Sequence, residues 1–310
     1  MKKLILVMAA LIIGAGAINA QDMAQATEVY NSGAESLSIG NNASALEKFK
    51  EALTLAQACG DEGADIVSNC KNIIPQIQLS IAKELYNTKN FDGALEQLKV
   101  TIDEADEYDN EDVEKEAKEL IPTIYMQKGN VALNKKAFAD AAKFYAKVVD
   151  YDEDNGMAYL RLGQSLSRIN KVEDALEALE KAAELGKEKD ANKQISNIYV
   201  NDAAKALKAK DYKEAIEKAK EANEYLENPN AMKIAGTAYS QLKDNKNAVE
   251  YLKKYVEMKP NAKDANTMYY TIGALSQMMG DKAAAIEYYT KVLTDPKLGP
   301  TVQPLIESLK

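Results

Sequence analysis

Two short Ser-x-x-Lys motifs are the residues whose types and spacing come nearest to catalytic chemistry. They are Ser68–Lys71 and Ser80–Lys83, and a lysine one helical turn after a serine can take the proton of a nucleophilic hydroxyl. Lysine is abundant in this chain and no companion motif accompanies either pair, so chance is the simpler explanation. Histidine is absent from all 310 residues, which excludes Ser-His and Cys-His nucleophiles and histidine-bound metals. We therefore expect no enzymatic activity, no cofactor and no metal.

Two acidic segments could attract cations. Residues 150–156 resemble half of a calcium-binding loop, but the glycine is one position late and Arg161 stands where a bidentate glutamate is needed. An inter-helix turn, with Asp154 or Asn155 capping the next helix, explains this segment. Residues 103–114 hold eight acidic side chains. They are typical of a solvated linker and a helix start, and a patch for a cation or a basic partner is the alternative.

The N-terminal residues predict export. Two lysines precede an apolar run over residues 4–17, and small residues then offer a cleavage site after Ala20. The run is shorter than the ~20 apolar residues that a membrane span needs. We therefore expect a signal peptide over residues 1–20 and a periplasmic or secreted protein without a membrane span.

The net negative charge of the chain disfavours two classes of partner. The formal net charge is -9, so phosphate backbones and anionic membrane surfaces are repelled. We expect a protein or peptide partner and no nucleic acid.

Export makes the two cysteines informative. Cys59 and Cys70 lie eleven residues apart, and in an oxidising compartment they could form a disulfide. The alternative is a pair of buried thiols on neighbouring helices. Two cysteines do not make a zinc site.

A spacing of small and bulky residues recurs seven times along the chain. In each copy a glycine or alanine is followed twelve positions later by an alanine, and a mostly bulky residue stands four positions beyond that. Apolar residues three and four apart around each copy predict a helix, a tight turn and a second helix. The copies are Gly33–Ala45–Phe49, Ala82–Ala94–Leu98, Gly129–Ala141–Tyr145, Gly163–Ala175–Leu179, Ala203–Ala215–Ala219, Gly236–Ala248–Leu252 and Gly273–Ala285–Tyr289.

This spacing resembles the tetratricopeptide repeat, a unit of about 34 residues, over nearly the whole chain after residue 20. The resemblance implies an all-α fold, a right-handed α-solenoid of about seven helix pairs with a C-terminal capping helix. We assign residues 21–296 to the solenoid and residues 297–310 to the capping helix. Long-helix repeats are expected over residues 24–155 and near-standard repeats over 156–296, because Pro75 and Pro122 each interrupt an extended first helix.

The resemblance also implies where a partner binds. In that family the first helix of each repeat lines a concave surface that takes extended peptides. Arginine suits bidentate capture of a carboxylate, and the only two arginines stand seven apart on one predicted helix. By repeat register the groove or its rim is predicted to contain Asn130, Asn134, Arg161, Gln164, Arg168, Asn197, Lys233, Thr237 and Gln277.

The predicted function is therefore a non-catalytic, periplasmic scaffold for proteins or peptides, or an assembly factor for an envelope complex. A cell-surface accessory protein that binds glycans is the alternative. The identity of the partner and the oligomeric state stay open.

Overall fold

The computed structural model describes residues 20–310, with side chains from residue 22 onward. The predicted signal peptide lies almost wholly outside the described residues. All regular elements of the described part are helical, which confirms the all-α prediction. The helices are α1 (Ala20–Ser38), α2 (Asn42–Ala58), α3 (Ala64–Asn87), α4 (Phe91–Glu107), α5 (Glu111–Asn134), α6 (Phe138–Tyr151), α7 (Gly156–Arg168), α8 (Val172–Ala182), α9 (Glu188–Ala209), α10 (Tyr212–Tyr225), α11 (Pro229–Gln241), α12 (Asn245–Met258), α13 (Ala265–Met278), α14 (Lys282–Thr290) and α15 (Gly299–Leu309).

Within the described residues these helices form seven hairpins, from α1–α2 to α13–α14, followed by α15. Within α1–α6, and again within α7–α15, each hairpin packs on the next element along the chain, as expected for an α-solenoid. The chain divides into two compact units. The N-terminal unit ends at Glu153 and contains α1–α6, and the C-terminal unit spans Asp154–Lys310. Among the described residues, no helix has both the length and the apolar character to cross a membrane.

The predicted spacing corresponds to a close contact inside each hairpin. A Cβ placed on Gly163 would lie 2.6 Å from Cγ of Leu179 and 2.9 Å from the carbonyl oxygen of Ala175. Gly236 faces Leu252 in the same way, at 2.7 Å. The glycine lets the two helices approach, and the bulky residue sixteen positions later fills the space beside it. This part of the prediction is confirmed.

A left-handed residue ends the first helix of every described hairpin. Seven positions share this conformation, with φ between 60° and 81°: Gly40, Lys89, Lys136, Asn170, Lys210, Lys243 and Gly280. The next residue in each case caps the second helix. Only two of the seven are glycines, although glycine adopts this conformation most easily. The turn geometry is therefore constant while its sequence varies.

The two long first helices of the N-terminal unit are each continuous through an internal proline. Helices α3 and α5 both have 24 residues, and Pro75 and Pro122 lie inside them. Proline removes one backbone hydrogen bond and favours a kink. Pro75 and Pro122 therefore lie within extended first helices.

The last helix, α15, begins at Gly299, inside the segment 297–310 that was expected to form the capping helix. Pro300 is compatible with this start because a proline in the first turn of a helix costs no intrahelical hydrogen bond. Val302 and Ile306 are buried against Tyr289 and Val292. Helix α15 thus covers the end of the last hairpin.

Candidate protein-binding surface

All nine predicted groove residues lie on first helices, as the repeat register predicts. Asn130 and Asn134 are on α5 in the N-terminal unit. The C-terminal unit carries the others: Arg161, Gln164 and Arg168 on α7, Asn197 on α9, Lys233 and Thr237 on α11, and Gln277 on α13. Helix α9 packs against both α7 and α11, so the residues on these three helices belong to neighbouring elements. Whether they bind a partner stays a prediction.

Two of the predicted amides hold a buried tyrosine of their own hairpin. The hydroxyl of Tyr145 donates to Oδ1 of Asn130 at 2.8 Å, and the hydroxyl of Tyr289 donates to Oε1 of Gln277 at 2.8 Å. Both rings are almost wholly buried, and a buried phenol needs a hydrogen-bond partner. Asn130 and Gln277 therefore stabilise the core of their own hairpins. The sequence did not predict this role.

Lys233 belongs to a three-residue polar cluster between successive hairpins. Its Nζ lies 3.0 Å from Oδ2 of Asp264 and 5.4 Å from the ring centroid of Tyr255. The hydroxyl of Tyr255 donates to Oδ1 of Asp264 at 2.5 Å. This hydrogen bond and then Lys233 hold the pKa of Asp264 below its ordinary value. Burial, helped by the bond to Asp264, raises the pKa of Tyr255 to about 12. The cluster fixes the start of α13 against α11 and α12.

Asn197 takes part in a similar connection one hairpin earlier. Nδ2 of Asn228, the residue that caps α11, lies 3.4 Å from Oδ1 of Asn197 and 3.4 Å from Oγ of Ser196. Asn197 remains exposed to solvent. It can therefore support the α9–α11 junction and still contact a partner.

The remaining groove residues differ in exposure. Asn134 and Arg168 are exposed, whereas Arg161 and Gln164 are half-buried and lie 3.4 Å apart, Nη1 to Oε1. Thr237 is half-buried and donates to the carbonyl of Lys233 at 2.8 Å. Arg168, on the helix that packs against the Asn197 helix, is therefore the exposed cation among the nine predicted residues.

The two cysteines are buried free thiols in one apolar cluster of the N-terminal unit. Cys59 donates to the carbonyl of Leu55 at 3.3 Å. Burial raises the pKa of Cys70 to about 12 and, together with nearby carboxylates, raises that of Cys59. Such thiols are weak nucleophiles. The disulfide between them stays a prediction.

The other candidate motifs have structural explanations. Lys83 pairs with Glu116 at 2.7 Å, and Ser80 donates to the carbonyl of Gln76 at 2.9 Å. Asn155 caps α7 by accepting from the amide of Ala158 at 3.0 Å, as predicted. Within residues 20–310, no group of three or more metal-ligating side chains is found.

A cleft of the N-terminal unit was not predicted. It has a volume of about 760 Å³ and lies beside the first half of α5. Its lining combines an apolar floor with charged edges: Ile102, Glu114, Lys115, Lys118, Glu119, Ile121, Pro122, Tyr151 and Asp152. Pro122 was visible in the sequence as a helix interruption, but the cleft depends on how three helices end relative to one another.

Comparison with known families agrees with the hairpin geometry. Two sequence models, both described as tetratricopeptide repeat, match this chain, one over residues 126–192 and the other over residues 234–262 and 267–294. The matched segments contain the close contacts at Gly129, Gly163, Gly236 and Gly273. The matched segments are therefore tetratricopeptide repeats. Such repeats bind protein partners and are generally non-catalytic, so the chain belongs to the protein–protein interaction scaffolds.

No curated protein sequence matches the chain. Among solved structures, a crystal structure of MamA protein has 23% sequence identity and a TM-score of 0.38, covering 59% of this chain and 95% of that chain. MamA 41-end from Desulfovibrio magneticus RS-1 has 17% identity and a TM-score of 0.35, covering 59% of this chain and 97% of that one.

Proposed function

We propose that this chain is an exported, non-catalytic scaffold that holds protein or peptide segments on its first-helix face. The observation that carries the proposal is the polar character of that face in the C-terminal unit, where Arg168 and Asn197 are exposed on helices that pack together. A run of first helices offers an extended surface to a partner and no sealed chamber for a reaction. An envelope-complex assembly factor is the specific role that this proposal favours.

Site-specific crosslinking tests the proposed surface. A photoreactive amino acid at Arg168 or Asn197, in the full chain expressed in its own cells, is expected to give defined protein adducts. A matched control at Glu217, an exposed residue on second helix α10, is expected to give few. Equal adduct yields at all three positions, or none at any of them, would overturn the proposal.

The location of the protein is part of the same proposal. Its support is the lysine-led apolar run that ends at Ala20. Cell fractionation is expected to recover the protein in the periplasm or the medium. Recovery in the cytoplasm alone would contradict this.

The glycan-binding alternative makes a different prediction. Retention on a polysaccharide column, without protein adducts at Arg168 or Asn197, would favour it. The tyrosines that could stack on sugars are mostly paired with other rings inside the hairpins, such as Tyr239 with Tyr251 at 5.4 Å and Tyr199 with Tyr225 at 5.9 Å. We therefore prefer the protein-binding proposal.

A further inference from the structure

The unpredicted cleft arises from a difference in helix length. Helix α5 has 24 residues and its partner α6 has 14, or about 36 Å and about 21 Å at 1.5 Å per residue. Tyr151, the last residue of α6, stacks on Tyr125 of α5 with ring centroids 6.2 Å apart. The part of α5 before Tyr125 therefore extends past the end of α6, and the cleft lies along this extension.

The floor of the cleft is apolar and includes an exposed ring. Ile102, Ile121 and Pro122 form part of its lining. Tyr151 is the most exposed tyrosine of the described residues, with 55% of its surface accessible. Its stacking on Tyr125 holds the ring in place, so an incoming group would meet a fixed aromatic surface at the edge of the cleft.

Other tyrosines of this unit already have a lysine over their ring. Nζ of Lys71 lies 5.4 Å from the ring centroid of Tyr108, and Nζ of Lys128 lies 5.9 Å from that of Tyr125. Among the described cation–ring contacts, none involves Tyr151. An exposed tyrosine ring attracts ammonium and guanidinium groups. Tyr151 could therefore accept a cation from a partner.

The charge around the cleft favours such a cation. Residues 103–119, which lead into it from α4, contain ten acidic side chains and two lysines. The acids at the start of α5 are explained by the helix dipole. Those in the last turns of α4, such as Asp103, Asp106 and Glu107, stand at the negative end of a helix that has no basic residue in its final turn. Lys50 pairs with Glu104 and Lys118 pairs with Glu114. These ion pairs offset only part of the negative charge, so the segment still attracts a basic partner.

We infer that this cleft, between α4, α5 and α6, binds a partner segment in which lysine or arginine stands next to a large apolar side chain. The apolar side chain would lie on Ile121 and Pro122, and the cation would lie between the Tyr151 ring and the carboxylate of Glu119. The inference rests on the proposed protein-binding function but concerns a different surface, in the N-terminal unit, whereas Arg168 and Asn197 belong to the C-terminal unit.

Defined peptides test the inference on the full chain. The probes are fluorescein-labelled Arg-Leu-Arg-Leu-Arg, Glu-Leu-Glu-Leu-Glu and Arg-Gly-Arg-Gly-Arg, all with capped ends, and the readout is fluorescence anisotropy. The first probe is expected to bind at least about tenfold more tightly than either of the others, because only it offers both cation and apolar group. Equal binding of the first and third probes would overturn the role of the apolar floor.

Matched substitutions locate the binding. Glu119→Lys and Tyr151→Ser are each expected to weaken binding of Arg-Leu-Arg-Leu-Arg about tenfold, a loss measurable as a change in Kd. Glu47→Lys makes the same charge change on an exposed residue of α2 in the same unit and is expected to change Kd less than about twofold. Glu119→Lys leaves the Tyr125–Tyr151 stack in place, so it remains informative if Tyr151→Ser disturbs folding.

The outcomes separate this inference from the proposed function. Equal loss in Glu47→Lys and Glu119→Lys, or no binding of the basic probe, would overturn the cleft assignment. Crosslinks at Arg168 and Asn197 would then still support the first-helix face. Absence of those crosslinks, with the cleft binding the probe as expected, would overturn the proposed groove alone.

Discussion

At the scale of single residues, the small side chains set how closely each pair of helices approaches. Five hairpins have a glycine where their two helices make closest contact. The space that a methyl group would find there differs from one hairpin to the next. A Cβ at Gly163 would lie 2.9 Å from a backbone oxygen, whereas at Gly33 the nearest atoms are side-chain carbons at 3.3 Å. Side chains adjust more easily than backbone, so the two sites should respond differently to the same change.

We expect Gly163→Ala to lower the free energy of unfolding by about 1–3 kcal/mol, the usual cost of overpacking. Gly33→Ala should be about neutral, since its mild crowding is offset by the higher helix propensity of alanine, worth about 1 kcal/mol. Urea unfolding followed by circular dichroism measures both. A loss at Gly33→Ala as large as that at Gly163→Ala would contradict the contact geometry.

The cluster around Asp264 predicts a pH dependence. Since the hydrogen bond from Tyr255 and the charge of Lys233 lower the pKa of Asp264 from its ordinary 3.8, its stabilising effect is present above about pH 4. The effect is lost as the pH falls through the lowered value. We expect Asp264→Asn to reduce the urea midpoint at pH 7, and this effect should diminish as the pH falls below the ordinary pKa of 3.8.

Tyr255→Phe is the matched control for that prediction, because it removes the leading cause of the lowered pKa and retains the ring beneath Lys233. Its effect on the urea midpoint should also shrink in acid. An effect of Asp264→Asn that stays constant from pH 7 down to the onset of acid unfolding would show that the carboxylate charge is not what stabilises the cluster.

At the scale of the elements, each hairpin depends on its turn and on the cap that follows. Second helices α4, α10, α12 and α14 start at an Asn or Asp whose side chain accepts a backbone N–H. Helix α6 starts at Ala137, which has no such acceptor but has nearly the same backbone angles as Asn90: φ -82° and ψ 69° against φ -82° and ψ 71°. The backbone at Ala137 thus already has the conformation that a capping side chain requires.

We therefore expect Ala137→Asp to raise the free energy of unfolding by about 1 kcal/mol, the typical worth of an N-cap. The reverse change at an equivalent position, Asp211→Ala, should lower it by a similar amount. Urea midpoints of the two variants check the pair. No gain from Ala137→Asp, together with a clear loss from Asp211→Ala, would mean that the α6 start is constrained by something other than capping.

The sequence predicted those features that are encoded within one hairpin. Gly163 and Leu179 lie sixteen positions apart on two helices joined by a short turn, so the local hairpin brings them together. The turns were less visible, because lysines such as Lys210 carry no signal for a positive φ. The bonds of Asn130 and Gln277 were also missed, although a tyrosine at a core position implies a polar partner. The cleft could not be predicted, since it depends on where Tyr151 ends α6 relative to α5.

At the scale of the whole molecule, acidic charge is concentrated and not evenly spread. The segment over residues 103–119 carries ten acids, while the first-helix residues Arg161 and Arg168 are the only arginines of the chain. The surface proposed in the N-terminal unit is thus suited to basic groups, and the surface proposed in the C-terminal unit offers cations for carboxylates. A scaffold with two such surfaces can distinguish partners by charge.

Intact mass spectrometry tests the expected processing of the chain. After expression in a bacterium with a periplasm, we expect the mature protein to lack residues 1–20.

Loss of the two thiol hydrogens of Cys59 and Cys70 would establish the predicted disulfide. If the thiols stay free, iodoacetamide should label them slowly at pH 8 before unfolding, because burial raises the pKa of Cys70 to about 12. Rapid labelling of the folded chain would contradict their burial.

Each small residue packs on a partner that is close to it in the sequence. This proximity also affects how the protein folds. Each helical pair is completed within a few dozen residues, so its contact order is low, and proteins of low contact order fold quickly. During synthesis, which starts at the N-terminus, one helix pair can form before the next pair has been synthesised. Folding intermediates should accordingly expose little unpaired apolar surface, which limits aggregation during synthesis.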